Sequence, residues 1–425
     1  MPQDSIAGDV PASSAGATSG RPPRLAALTP NLRRFFGVAL ASTLGYFAFN
    51  SFLSPYLRES GVAVVFVGLF FSLAAAVEAP MAFAGGVLAD RLGRRSVLVA
   101  GRLLRTAGWL VALLAPTTAG LVIAAILLGL GGVAGAGYRA LIAESAVPGR
   151  RASAFAAVGF VENLVGVVVP PLVGLAAARL GLRWVLAAAA TLSGLGVLAL
   201  ATRVRETLPP KVAGASAATP AAETRPSASE SLRFIFGPDG RAAALMAVIW
   251  LFTGFAMSLL PPIWGLYVTD RFGVGYAGLG AASTAMALGA ALGQLVGGQV
   301  ADRIGHSRLM VISLAITVPS WVLITQANDP WLFSLLNLLT YLAAFVSAPC
   351  WEAVGANAVP RRVRGAVSGI YGAMQAIGAL AGAAVTGVAY TRGITLPFWI
   401  LAGTDLIMLV LVLAGRRAGW KGFGG

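Results

Sequence analysis

Apolar runs of about twenty residues, parted by short polar breaks, occupy most of this chain. They fall at about 35–57, 62–88, 96–115, 119–143, 153–178 and 184–201, and again at about 242–268, 275–300, 307–327, 331–356, 364–390 and 396–414. At ~1.5 Å per residue, each is long enough for a helix to cross a hydrocarbon core of about 30 Å. Residues 1–34, rich in Ala, Ser, Gly and Pro with four Arg, lack the continuous apolar stretch of a signal peptide and read as a disordered cytoplasmic tail. Pro209, Pro210, a Ser/Ala/Thr-rich run and six basic residues make 202–241 a cytoplasmic linker. The pattern predicts a six-helix bundle over 35–201, a second over 242–414, and a short basic cytoplasmic tail over 415–425.

The two bundles are copies. Gly86-Val87-Leu88-Ala89-Asp90-Arg91-Leu92-Gly93-Arg94-Arg95 returns as Gly298-Gln299-Val300-Ala301-Asp302-Arg303-Ile304-Gly305, an offset of 302 − 90 = 212 residues. Ala146-Val147-Pro148-Gly149-Arg150-Arg151 returns as Ala358-Val359-Pro360-Arg361-Arg362, and 360 − 148 is again 212. Two landmarks at one offset identify a duplicated half.

Composition agrees with a lipid environment. The chain is 57% hydrophobic and 11% charged, against about 25% charged for a soluble domain. A net charge of +15 suggests nucleic acid until the positions are counted. Of 31 Lys and Arg, 23 fall in loops facing one side and 5 in loops facing the other, while Arg102, Arg105 and Arg139 lie in or beside apolar segments. That is positive-inside bias, which excludes a nucleic-acid partner and puts both termini and the linker on the cytoplasmic side of the cell's inner membrane. The single cysteine, Cys350, and the single histidine, His306, offer no metal cluster or nucleophilic pair. No lysine stands in a phosphate-binding loop, so the sequence implies no cofactor, no metal and no enzyme.

With its loop motifs in place, the chain from about 30 to 415 resembles the major facilitator superfamily. Gly86 to Arg95 is similar to that family's signature between helices 2 and 3, and 298–305 to its echo between helices 8 and 9. The Pro148 and Pro360 loops resemble its turns between helices 4 and 5 and between 10 and 11. The resemblance implies an all-α polytopic fold, twelve helices in two pseudo-symmetric halves, with substrate between the halves at mid-depth. It also implies a conformational lock at Gly86, Asp90, Arg91, Gly93, Arg94, Arg139, Glu144, Asp302 and Arg303, with Glu144 the acidic partner and the outer arginines serving orientation. Gly166-x-x-x-Pro170-Pro171-x-x-Gly174 partly resembles the fifth-helix motif of exporting members, while residues 119–137 lack the fourth-helix Arg frequent in drug–proton antiporters.

Charges deep in the bilayer are costly and face a partner or a wet cavity. Glu78 and Arg105 lie at similar depth on adjacent helices, as an ion pair, a proton or substrate-cation site (Glu78), or an anchor for an anion (Arg105). Glu162 stands beside Asn163, whose repeat partner is Gln375 (163 + 212 = 375), suggesting two walls of one cavity. Asp405, mid-span in the twelfth segment, reads as structural or oligomeric. Asn50, Trp250, Gln294, Asn337 and Tyr371 complete the candidate pocket, and their aromatic faces suit a bulky amphiphile. The expectation is a monomeric alternating-access transporter in the lipid bilayer, exporting lipophilic or cationic small molecules in exchange for protons. The alternative is an uptake symporter or facilitator for a sugar, organic acid or similar metabolite; a transporter-like sensor or scaffold is the remote third.

Overall fold

The structure is a computed structural model that describes residues 30–145, 151–207, 234–360, 363–420 and 422–423. The tail expected over 1–34 up to residue 29, the centre of the linker at 208–233 and the first Pro148-Gly149-Arg150 loop lie outside the described residues. Within them the chain is helical, with no strand. In the first half, α1 is Pro30–Glu59, α2 Val64–Leu92 and α3 Arg94–Leu114. They are followed by α4 at Thr118–Leu130, α5 at Ala134–Ser145, α6 at Arg151–Leu180 and α7 at Leu182–Arg203. The second half begins with α8 at Arg241–Leu259, α9 at Trp264–Phe272, α10 at Tyr276–Ile304 and α11 at His306–Gln326. It closes with α12 at Pro330–Val346, α13 at Ala348–Asn357, α14 at Arg364–Arg392 and α15 at Leu396–Arg417.

Among the described residues, eleven helical stretches are long and apolar enough to cross a membrane. The helix α1, 30 residues long and so about 45 Å, packs on α6 and α7 and makes the twelfth. Three spans are broken where continuous ones are expected. The fourth tightens into a 3₁₀ turn at Gly131–Val133, the seventh stops before Pro261-Pro262, and the tenth is interrupted at Ser347, two residues before Pro349. Proline has no backbone N–H to continue a helix. Asp329 starts α12 by accepting from the Trp331 and Leu332 amides at 2.9 Å, with Pro330 at the first helical position.

Close helix contact comes from glycine. Gly289, Gly293 and Gly297 recur every fourth residue on α10, where an added Cβ would fall 2.2, 2.6 and 2.5 Å from the carbonyl oxygens of Leu338, Leu342 and Val346. Gly378 and Gly382 do the same for α14 against Leu251 and Phe255 of α8. This is small-residue packing of membrane helices, which brings backbones together where lipid supplies no hydrophobic drive between helices.

Among the described residues, the apolar core that the halves share lies toward one end. One apolar core joins Phe49, Phe52 and Trp109 of the first half to Trp264, Tyr267 and Phe398 of the second. Toward the end carrying the Asp90 and Asp302 loops, it gives way to separate cores, one around Met246 and Val354 and another around Phe35 and Leu98. At the far end, Ser72 donates to the Leu380 carbonyl at 2.9 Å and Thr284 to that of Val167 at 3.1 Å. The Gly/Pro motif of α6 belongs to this seal: Gly174 lies on the Tyr276 carbonyl, and Pro170's carbonyl on Gly280. Arg58 and Asp270 pair at 2.5 Å across it, and Tyr390 donates to the same carboxylate at 2.7 Å. These two residues are themselves repeat equivalents, 270 − 58 = 212, so the pair sits where the halves' symmetry brings like positions together. The seal between the halves thus lies at the far end, and among the described residues the apolar cores nearer the loop end are separate.

Removing that clasp is expected to loosen the seal. In a Cys350→Ala background, a Ser54→Cys probe, at a position 2% exposed, should be alkylated several-fold faster when Asp270→Asn is added. An unchanged rate would mean that the apolar core alone holds the end closed.

Candidate functional site

Three cavities are joined by shared wall residues, running from the first half to the second. The first, about 350 Å³ and inside the first half, is bordered by Tyr46, Glu78, Arg102, Arg105, Tyr138 and Glu162. The next, about 260 Å³, shares Tyr46, Glu78, Arg105 and Trp109 with it and reaches Met257 and Pro261 of the second half. Asn50, Met257 and Pro261 in turn border a third, about 250 Å³, lined by Trp264, Trp321, Tyr341, Trp351 and Asp405. The series thus has a charged chamber at one end and an aromatic one at the other.

Local packing sets the charged chamber. Glu78 lies 14 residues from either end of α2 (78 − 64 and 92 − 78), at the middle of the span. The fourth span can settle over it because Gly132 has no side chain: a Cβ there would meet Glu78 Cγ at 2.7 Å. Arg105 donates to Glu78 at 2.9 Å, so the expected pair forms, with both side chains partly exposed on the cavity wall. Glu162 accepts from the Tyr138 hydroxyl, and Arg102 sits over that tyrosine ring with its Cζ 5.5 Å from the centroid. Among the described residues no Arg or Lys pairs with Glu162.

The remaining candidates separate. Asn163 donates to Gln294 at 3.2 Å, a hydrogen bond across the two halves. Its repeat partner Gln375 is not opposite it; the Gln375 backbone instead packs on Gly254 of α8, because the repeat offset relates positions by symmetry rather than by contact. Asn50 borders two chambers, as a pocket residue should. Trp250 and Tyr371 belong to the second half's own core, and Asn337 is fully buried, donating to the Phe333 carbonyl of its own helix at 2.9 Å. None of these three lines a chamber. Tyr46, Arg102, Tyr138 and Trp321 line chambers without having been singled out by sequence. Of these, only Arg102, a charge inside an apolar run, carried a readable signal. Asp405 is also not peripheral: it is 7% exposed and faces inward from α15.

At the loop end the signature residues do form ion pairs, centred on Arg94. Arg94 holds Asp90 at 2.8 Å and Glu144 at 3.1 Å. Arg91 and Arg139 are exposed and form no ion pair among the described residues, and the same holds for Asp302 and Arg303 of the echo. The physical reason is the turn between α2 and α3. Gly93 folds Arg94, the first residue of α3, back onto the end of α2, where it reaches Asp90 and donates to the Ala89 carbonyl at 3.1 Å, whereas Arg139 and Glu144, five apart, point to different sides of α5. Gly86 borders open space, while Gly93 turns with φ +101° and leaves room for Glu206. That carboxylate accepts from the Arg94 and Arg95 amides at 2.9 and 3.0 Å, filling the anion site at the start of α3. Thr207 beside it donates to Glu144 at 2.5 Å, so the first residues after α7 are tied to the signature loop. Glu206→Ala should therefore speed hydrogen exchange at the Arg94 and Arg95 amides by about tenfold or more, the scale set by losing a charge-assisted bond. Exchange that stays unchanged would leave Glu206 a bystander.

Comparisons with known proteins agree with this architecture. The model of the Major Facilitator Superfamily matches residues 35–254 and 245–422. An uncharacterised MFS-type transporter of Mycobacterium tuberculosis is 34% identical over 158 residues, 36% of this chain and 36% of that protein, so the alignment spans about a third of the relative. The class G tetracycline resistance protein of Vibrio anguillarum is 26% identical over 317 residues, covering 74% of this chain and 78% of that one. Among solved structures, the human organic anion transporter MFSD10 (TETRAN) superposes with a TM-score of 0.61 at 20% identity, over 90% of this chain and 99% of that one. A POT peptide transporter in complex with alafosfalin superposes with a TM-score of 0.73 at 17% identity, over 92% and 95%. At those identities the likeness is one of fold. With the family model matched across both halves, and with the repeated loops and serial chambers already described, this chain belongs to the major facilitator superfamily: it is a multi-pass membrane transporter, not an enzyme.

Proposed function

We propose that this protein exports lipophilic or cationic small molecules across the cytoplasmic membrane in exchange for protons. In this reading it acts as a monomer with both termini in the cytoplasm. The observation that carries the reading is Glu162: a mid-span carboxylate on a cavity wall, held by a tyrosine hydroxyl and paired with no cation among the described residues. Glu78, by contrast, is already neutralised by Arg105. A carboxylate in that setting is a proton or cation acceptor by default. The chambers beyond it are lined by aromatic rings and methionines, which suit a bulky amphiphile. The tetracycline resistance relative supports export, at 26% identity. Protonation at Glu162 would add positive charge to the first chamber and weaken its hold on a cation, which is the sign an exchanger requires.

A second reading rests on Arg102 and Arg105. Two guanidiniums in one chamber would serve an anionic metabolite that displaces Glu78 from Arg105, and uptake would follow. Thermal shift separates the two readings, since a ligand that prefers the folded protein raises its melting temperature. The detergent-purified chain is heated at pH 6 and pH 8 with lipophilic cations, sugars, organic acids and nucleosides. Export predicts stabilisation by cations that proton competition weakens in the unaltered protein but not in Glu162→Gln. Stabilisation by a polar metabolite, indifferent to that substitution and lost in Arg105→Gln, would favour uptake.

A further inference from the structure

The aromatic chamber holds a charge that the preceding account does not use. Asp405 on α15 accepts from Thr317 at 2.7 Å and from the Trp321 indole at 2.9 Å, both through Oδ2. Its Oδ1 has no hydrogen-bond partner among the described residues, and no Arg or Lys pairs with the carboxylate there. The first chamber contains two acids and two guanidiniums; this one contains a single acid and no base. Around it stand Trp264, Trp321, Tyr341 and Trp351. Indole and phenol faces attract cations, and a buried carboxylate is costly until something positive meets it. Two neutral donors orient Asp405 without cancelling its charge, which leaves one oxygen for a ligand.

We propose that the chamber around Asp405 is a binding subsite for the charged end of a flat aromatic monocation, with Asp405 as its counter-ion and the tryptophans as its walls. The class of ligand rests on the export reading, but the subsite itself is defined by binding and not by flux. Asn50, shared with the neighbouring chamber, marks the side from which the ligand enters.

Isothermal titration of the purified full chain at pH 8 with N-methylacridinium, and with its neutral isostere 9-methylacridine, tests the assignment. The cation is expected to bind about tenfold or more tightly than the isostere. Asp405→Asn keeps an oxygen for both donors and should abolish that preference while leaving the isostere's affinity alone. Met408→Lys, which places an ammonium one turn along α15 on the same chamber wall, should abolish it as well and guards against a folding defect in the first variant. Equal binding of cation and isostere to the unaltered protein, or a preference that survives both substitutions, overturns the proposal. Binding that follows Asp405 without proton-coupled flux in vesicles would keep the subsite and remove the export reading. Coupled flux with cation binding indifferent to Asp405 would do the reverse.

Discussion

Glu162→Gln is expected to abolish proton-driven transport while leaving the protein folded. Glutamine keeps an oxygen that accepts from Tyr138 and keeps the volume against the cavity wall, so the hydrogen bond and the packing survive. What disappears is the ability to exchange a proton. Flux driven by a pH gradient should fall by roughly tenfold or more, the size of a coupling free energy of about 1.4 kcal/mol or above. Substrate exchange without a gradient should persist, because the chambers beyond Glu162 are unaltered. Glu78→Gln is a contrasting change. It leaves Arg105 without its acid on a cavity wall, and its defect should be relieved by adding Arg105→Gln if the pair is structural. Retained gradient-driven flux in Glu162→Gln would transfer the proton site elsewhere.

Gly254→Ala is expected to be among the most damaging small substitutions. A Cβ there would fall 1.9 Å from the backbone oxygen of Gln375, an atom that cannot rotate away. The α8 and α14 helices would have to part, and overpacking of this kind costs about 1–3 kcal/mol and sometimes more. The gain in helix propensity of up to ~1 kcal/mol does not offset it. Gly298→Ala is the matched control, since nothing lies within 4 Å of a Cβ at that site. Melting temperature in detergent should fall clearly for the first and hold for the second. Equal behaviour would mean that the two helices are not in the close contact described.

The sequence carried the architecture because membrane physics writes it into simple patterns. Apolar length marked the spans, Lys and Arg placement marked a side, and two loops at a common offset marked the duplication. Glu78, Arg105 and Glu162 were also legible, since an ionisable group in a long apolar run has few innocent explanations. Their partners were harder. Tyr138 meets Glu162 from another helix, and an interhelical hydrogen bond leaves no periodic trace. Trp250 and Asn337 looked like pocket residues by depth alone, yet depth does not say which face of a helix is inward, and both face the second half's own packing. The ion pairs of the signature loop centre on Arg94 and not Arg91 for a related reason: a loop motif names the residues, while the turn at Gly93 decides which of them folds back onto Asp90. Asp405 reads from the sequence as structural or oligomeric, and only its contacts with Thr317 and Trp321 of α11 place it on a chamber wall.

On the export reading, a cation leaves through the joined chambers in exchange for a proton. Proteoliposomes loaded at low internal pH and diluted into buffer at higher pH, with a fluorescent lipophilic cation outside, test it most directly. Molecules inserted with their loop end outward should drive accumulation of the cation as protons leave. Collapse of the gradient by a proton ionophore should release it, and Glu162→Gln should show neither. Accumulation that ignores the gradient, or that survives Glu162→Gln unchanged, would contradict the account.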